Sequence, residues 1–368
     1  MKVRDWTNQL KINWSCQHDA QYPVWQLTAE WLNHRHITND HASNQLGCVL
    51  KAMQRSAITH ADVGLKGTQL KATLTLGDAQ RVVFKPRFYE RDFTMVGTPY
   101  AGKDRHNAEI AAFHVNRVIG LHKVPLVVGR VVDLESEVRP VAHRNLLSTF
   151  FYKDGNACFY GKCHYCKGPE TGVCANRTLL EGSLTIWLPD AYKLGNTQRH
   201  PWSRTYNSHR QAAWETKSDY CHTVRRTRPY ETPPRLLDLV DIAVFDFIIS
   251  NADRHHYETF EYSKDSSVIA LDNGKSFGNP YVDEMTILAP LYQCCIIRQR
   301  MYDRLWQLRN GVLGQVLYNI LREESLAPIL SRSNYKAVDR RLHIVLNIVD
   351  ECISKHGRQE VLLDDSYT

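Results

Sequence analysis

Four charged side chains, Lys85, Glu109, Asp253 and Asp272, occur in an order and in settings that fit phosphoryl transfer to a hydroxyl. That reaction needs a cation for the phosphates, carboxylates for divalent metal ions, and a carboxylate to receive the hydroxyl proton. Lys85 ends an extended run, Arg81-Val-Val-Phe-Lys-Pro86. Glu109 lies near the start of a helical pattern, placed either to pair with Lys85 or to reach a metal. Asp253 follows a long apolar run, in Asp253-Arg-His-His-Tyr-Glu258, and Asp272 opens Asp272-Asn-Gly-Lys-Ser-Phe-Gly278. Each residue also has a plainer reading: a solvated strand lysine, a glutamate favoured by a helix dipole, a capping aspartate and an ordinary Asp-Asn-Gly turn. Gly64-Leu-Lys-Gly67 is a weak substitute for a glycine-rich phosphate loop. The His-Arg-Asp and Asp-Phe-Gly strings of common protein kinases are absent. His255 and His256 have no further His or Cys at ligand spacing, which argues against zinc there.

The elements that would position these residues follow from periodicity. Residues 1–60 are polar and helical, with amphipathic stretches at Trp25–Trp31 and Gln45–Ala57. Gln69–Leu76 alternates, Gly77-Asp78 signals a turn, and Arg81–Pro86 resumes, which predicts a hairpin. Asn107–Leu121 has helical spacing, Val124–Val132 is a strand, and Phe150–Tyr160 is a candidate strand. Ser183–Pro189 is apolar, extended and stopped by proline. Residues 190–233 are polar with little periodicity. Leu236–Ser250 is a buried helix despite Asp238, Asp241 and Asp246; a short strand, Ser267–Leu271, precedes the Asp272–Asn279 loop. Arg300–Leu321 and Val338–Ile353 are helical. The layout is α+β: a hairpin-and-helix half followed by a helical half, joined by an apolar strand.

The bulk properties exclude several classes. A 368-residue chain with 43% hydrophobic content and 10% aromatics can bury a core and is not disordered. The net charge of +7 is modest, and the basic clusters Arg225–Arg228 and Arg298–Arg304 suit a solvated surface or an anionic substrate. No nucleic-acid-binding motif accompanies them. No run of 18 apolar residues is present to span a bilayer. The polar start, Met-Lys-Val-Arg-Asp-Trp, is unlike a signal peptide, so a targeting segment is expected to have been removed or to lie outside this chain. Ten cysteines and two sequons, at Asn13 and Asn176, favour oxidised thiols in a lumenal or secreted protein. Zinc is the rival for Cys158, Cys163, Cys166 and Cys174, because Cys163-x2-Cys166 has ligand spacing.

Several strings go further. Phe84-Lys-Pro86, Arg105-His-Asn-Ala-Glu-Ile-Ala-Ala-Phe-His114, Cys158-Phe-Tyr-Gly-Lys-Cys163, Glu181-Gly-Ser-Leu184, Asn251-Ala-Asp-Arg-His-His-Tyr-Glu258 and Gln293-Cys-Cys295 resemble the secretory-pathway (Golgi) kinase family. The similarity runs from about residue 60 to the C-terminus. Leu271–Pro280, Ile287–Arg298 and Asn310-Gly-Val-Leu313 look like its glycosaminoglycan xylosylkinase branch. The resemblance implies an atypical two-lobed kinase-like fold stapled by disulfides. In it, residues 1–60 would be a helical segment packed on the core, 61–184 a β-rich N-lobe with a cysteine-rich insertion, and 185–368 the hinge and helical C-lobe. It implies ATP and Mn2+ (or Mg2+) as cofactors. Lys85 would contact the ATP phosphates, and Gln69 and Glu258 would assist nucleotide binding. Thr185, Ile186, Trp187 and Leu188 would grip adenine. Glu109 and Asp272 would hold the metal, and Asp253 would be the base. It also implies the bridges Cys158–Cys174, Cys163–Cys166, Cys221–Cys294 and Cys295–Cys352; Cys16–Cys48 follows by elimination.

The branch implies phosphate transfer to the 2-hydroxyl of xylose in the galactose–xylose linkage of proteoglycans, in the Golgi lumen. Trp187, Trp202 and Tyr257 are then candidate sugar platforms. The alternative is a secretory Ser protein kinase of the casein-kinase type, with Arg225, Arg226 and Arg228 lining an acidic-substrate groove. A non-catalytic pseudokinase is the third reading. The pseudokinase branch carries Gln where this chain has Glu109, so activity is expected.

Overall fold

A computed structural model describes residues 2–16, 23–38, 43–64, 67–77, 79–207, 209–231, 234–261, 263 and 265–364. Leu65 and Lys66 of the candidate phosphate loop, and Asp78 of the hairpin turn, lie outside the described residues. The first half is built on an antiparallel five-stranded sheet. Its strands are β1 (Ile58–Val63), β2 (Ala72–Leu76), β3 (Gln80–Pro86), β4 (Val127–Asp133) and β5 (Leu179–Ile186), in the order β1-β2-β3-β5-β4. The expected hairpin is β2–β3. β1 was not legible as a strand, because its burial does not alternate. The register sets Lys85 opposite Ser183 and Val83 opposite Thr185.

The N-terminal helices are α1 (Val3–Leu10), α2 (Gln26–Trp31) and α3 (Ser43–Arg55). Trp6 of α1 is buried beneath the Arg304 guanidinium, 4.0 Å from its ring. Arg117 Nη2 donates to Leu10 O at 2.7 Å. The helix α4 (His106–Val118) is buried over its whole length and packs on β4 and β5. Phe150–Tyr160 is two strands, Phe150–Lys153 and Asn156–Phe159, because Asp154 and Gly155 both take positive φ and turn the chain. Cys174 pairs opposite Cys158 in that small sheet.

In the second half, α5 (Arg235–Ile249) is buried throughout and stops where Ser250 turns left-handed, at φ 58°. Its three aspartates are tolerated because each meets a cation. Asp238 accepts from Lys123 Nζ at 2.6 Å, Arg298 Nη2 at 2.8 Å and Arg35 Nη2 at 2.7 Å. Burial alone would raise its carboxyl, but Lys123, Arg298 and Arg35 hold it far below the ordinary range. Asp241 pairs with Arg298 Nη1, and Asp246 with Arg254. Arg298 is therefore a fully buried ion-pair residue and not part of a solvated cluster. Ser267–Leu271 is extended but not a strand; it keeps one bridge, Ile269 to Glu258. Arg300–Leu321 is two helices, α6 (Gln299–Gln307) and α7 (Val312–Leu321), split where Asn310 and Gly311 take positive φ. The long helix α8 (Arg332–His356) extends the periodic stretch at both ends, and Ser331 Oγ accepts from Asn334 N. No described helix is long and apolar enough to cross a membrane.

All ten cysteines are bridged, as Cys16–Cys48, Cys158–Cys174, Cys163–Cys166, Cys221–Cys294 and Cys295–Cys352, and none is free for zinc. The sequon residues Asn13 and Asn176 are exposed.

His200 gives the fold a pH dependence. Burial, then the nearby Arg254, pushes its pKa down from 6.5 to about 3. The unfolded chain therefore takes up this proton first. The stability His200 allows is complete above pH 6.5 and is lost as pH falls from 6.5 towards 3. At pH 5 the loss is about 2 kcal/mol. Urea midpoints measured from pH 7.5 to 5 should fall less steeply in His200→Gln than in the wild type.

Candidate active site

Lys85 enters the space between the two halves from β3, and three carboxylates converge on its ammonium. Its Nζ donates to Asp104 Oδ2 at 2.8 Å, to Glu109 Oε1 at 2.5 Å and to Asp272 Oδ1. These bonds span 19, 24 and 187 residues of sequence, so β3, the approach to α4 and the loop after Leu271 must all be in place. Asp104 and Glu109 are buried, whereas the Asp272 side chain is 65% exposed. Burial by itself would lower Lys85, but Asp104, Asp272 and Glu109 together hold it well above its usual value. The Lys85 ammonium in turn holds Asp272 well below the carboxylate range.

One oxygen from each of Asp104, Glu109 and Asp272 lies within 4.8 Å of the other two. Three carboxylates against one ammonium leave a net charge near −2, which suits a divalent cation with oxygen ligands. Asp272 is held left-handed at φ 57°, a strained backbone placing its carboxylate at the cleft. Asn273 N donates to Glu109 Oε2 at 3.2 Å, which ties the loop after Leu271 to α4. Gly274 permits the approach: a Cβ there would sit 2.7 Å from Asp104 Cβ and Cγ. Gly274→Ala is accordingly expected to destabilise the fold by about 1–3 kcal/mol, read from thermal or urea unfolding.

Asp253 sits across the cleft. Tyr206 Oη donates to Asp253 Oδ1 at 2.7 Å, and the His255 ring nitrogen Nδ1 lies 2.7 Å from Asp253 O. Burial, followed by the Asp253 carboxylate, raises the Tyr206 phenol above its usual range, so it remains a donor. Arg254 holds the two functional loops together. Its Nε and Nη2 donate to Asp246 at 2.6 and 2.9 Å, and Nη2 also reaches Asn273 Oδ1 at 2.7 Å. Glu258 accepts from Thr197 Oγ1 at 3.1 Å.

Two cavities meet at this point. One, of about 400 Å3, is lined by Lys85, Glu109, Thr185, Glu258 and Asp272 together with apolar Val83, Val124 and Val127. The other, of about 650 Å3, is lined by Phe88, Tyr100, Tyr165, Tyr206, Lys103 and Lys275. Thr68, Asp253 and His255 line both, so the two make one cleft with Asp253 at the junction.

The structure thus brings Lys85, Glu109, Asp253, Glu258 and Asp272 to one cleft. Gln69 lines the larger cavity, next to Thr68, which lines both. Of the residues 185–188, Thr185 lines the smaller cavity; the Trp187 N–H and C=O are taken by Arg81 O and the Gln80 amide. Trp202 and Tyr257 are not sugar platforms. Both are buried, and their polar atoms bond Gln293 and Gln198. Trp187 is covered by Arg81, 4.7 Å from its ring. Asp104 and Tyr206 were missed. Asp104 had only the charge cluster Lys103-Asp104-Arg105 as a signal, and Tyr206 had none, being in an aperiodic segment.

Comparisons with known proteins show the family and the fold. Residues 23–361 match the family model described as Golgi casein kinase, C-terminal, Fam20. The human glycosaminoglycan xylosylkinase is 50% identical over 95% of this chain and 84% of its own length. The human extracellular serine/threonine protein kinase FAM20C is 38% identical over 94% of this chain and 60% of its own. A hydra Fam20 structure solved with sugar superposes with a TM-score of 0.90 at 45% identity, covering 94% of this chain and 99% of that one. The Golgi casein kinase solved with Mn and ADP gives 0.88 at 32% identity, covering 94% and 85%.

Proposed function

The chain belongs to the Fam20 family, and we propose that it transfers the γ-phosphate of ATP to the 2-hydroxyl of xylose in the galactose–xylose linkage of proteoglycans. The observation that carries this reading is the larger cavity opening directly beside Asp253. Its rings Phe88, Tyr100, Tyr165 and Tyr206 offer faces for sugar rings, and Thr68, Gln69, Lys103 and Lys275 offer hydrogen bonds to hydroxyls. The greater identity to a xylosylkinase than to FAM20C supports the same choice.

In this reading ATP occupies the smaller cavity. Lys85 neutralises phosphate charge, and the carboxylates of Glu109 and Asp272 hold Mn2+ or Mg2+. That ion, when bound, supplies compensation for the charge of the transferring phosphoryl group. Asp253 accepts the proton of the attacking hydroxyl, and Tyr206 orients the Asp253 carboxylate by its hydrogen bond. Arg254 keeps the base and the metal loop in register. Thr185 contacts the adenine end, and Glu258 lies at the same wall. Five disulfides and the exposed Asn13 and Asn176 sequons support a Golgi-lumen location with glycosylation at both sites. The lobes proposed from sequence, 61–184 and 185–368 with 1–60 packed against them, remain the working division.

The protein-kinase alternative has less support. Arg225 donates to Cys294 O at 3.2 Å, Arg228 pairs with Glu231 at 3.0 Å, and Arg225, Arg226 and Arg228 are absent from the walls of either cavity. The test offers labelled ATP and Mn2+ with a galactose–xylose glycoside and casein side by side, with Asp272→Ala as control. Transfer to the sugar that the mutant abolishes is the expected result. Transfer to casein alone would replace the proposal with the protein-kinase reading.

A further inference from the structure

The three carboxylates on Lys85 are not equivalent. An ammonium has three donors, and here all three are spent on Asp104, Glu109 and Asp272. Glu109, Asp272 and Lys85 itself form part of the wall of the smaller cavity; Asp104 does not. Its side chain is 5% exposed, against 65% for Asp272. Asp104 is held from behind, where Arg105 N donates to Gly274 O at 2.8 Å and Gly274 closes over its Cβ. A cation entering the cavity therefore meets Asp272 and Glu109, and their bonds to Lys85 must be given up. A buried ammonium left without any carboxylate would be strongly disfavoured.

We propose that Asp104 is the resident partner of Lys85, holding the ammonium towards the phosphates when Glu109 and Asp272 turn to the metal, and that it is a positioning residue and not a metal ligand. The inference rests on the kinase reading of the cleft. It divides the cluster into one fixed pair, Lys85–Asp104, and two exchangeable carboxylates. The pairing that usually falls to the glutamate of the neighbouring helix is here shared with Asp104, in the segment just before α4, so that Glu109 can be given up to the cation.

The test compares wild type, Asp104→Asn, Asp104→Glu and Glu109→Gln. Three quantities are read: Mn2+ affinity of the nucleotide-free protein by electron paramagnetic resonance, ADP affinity in EDTA by calorimetry, and the KM and kcat for ATP. Asp104→Asn is expected to raise KM for ATP and weaken metal-free ADP binding by about 10–100-fold, with Mn2+ affinity unchanged and kcat affected less. Asp104→Glu should recover most of the nucleotide affinity, and Glu109→Gln should lose Mn2+ affinity. If Asp104→Asn does not fold, Asp104→Ser, which leaves room for water, takes its place. Loss of Mn2+ affinity equal to that of Glu109→Gln would make Asp104 a ligand and overturn the proposal. Unchanged nucleotide binding in Asp104→Asn would do so as well. Failure of the wild type itself to bind either Mn2+ or ADP would instead refute the kinase reading.

Discussion

Asp253→Asn is expected to lower kcat for phosphate transfer by about 10²–10⁴-fold while leaving ATP affinity close to that of the wild type. The Asn side chain keeps the shape of the carboxylate and still accepts from Tyr206 Oη, which lies 2.7 Å from Oδ1. What it loses is the capacity to take a proton, so the deficit falls on the chemical step. Asp272→Asn should differ in kind. Asn tolerates the left-handed backbone that Asp272 adopts at φ 57°, so the loop keeps its course. The lost charge removes one of the two carboxylates of the Lys85 cluster that line the smaller cavity, and transfer should drop by about 10³-fold. The drop should be accompanied by weaker Mn2+-dependent nucleotide binding. Initial rates over a range of ATP and Mn2+ concentrations separate the two. Equal loss of nucleotide affinity in both variants would contradict the division of labour assigned to the two loops.

The second large effect concerns stability. Cys295 and Cys352 are 57 residues apart, and Cys221 and Cys294 are 73 apart. On the chain-entropy account each bridge is worth about 4 kcal/mol, whereas Cys163–Cys166, with a separation of 3, gives roughly 1.5 kcal/mol. The adjacent pair serves two directions because Cys295 is left-handed at φ 49°. Cys294 ends its helix facing the irregular 190–230 segment, and Cys295 turns to α8. The paired replacement Cys295→Ser with Cys352→Ser should therefore lower the unfolding free energy by about 4 kcal/mol. The Cys163→Ser, Cys166→Ser pair should cost far less and act mainly on the larger cavity, whose wall contains that bridge. Urea titrations of the two variants against wild type provide the comparison, and equal losses would sink the loop-length account.

Much of this organisation was legible before any coordinates. Periodicity placed the β2–β3 hairpin, α4, α5 and α8, since each buries a face that repeats at strand or helix spacing. The boundaries moved by a few residues, and two breaks were missed at Asp154-Gly155 and Asn310-Gly311, polar turn dipeptides whose positive φ reverses or splits the element. The order Lys85, Glu109, Asp253, Asp272 fitted phosphoryl transfer, which demands those group types whatever the fold, and the family resemblance chose that chemistry over the plainer readings.

Composition could not tell which charged residues are buried. Arg298 belonged to an apparently solvated basic run, yet it is wholly enclosed because α5 carries Asp238 and Asp241 to it from about 60 residues away. Tyr206 meets Asp253 across 47 residues through an aperiodic segment. Thus the amino-acid sequence by itself determined most of the elements, through local periodicity, and the family, through its motif strings, and it singled out Lys85, Glu109, Asp253 and Asp272 as candidates by residue chemistry. Only the tertiary structure decided that Asp104 stands behind Lys85, that Gln69 lines the larger cavity together with Tyr100 and Tyr206, and that Trp202 and Tyr257 are buried. Those facts depend on long-range packing, which brings together side chains whose separation along the chain carries no signal.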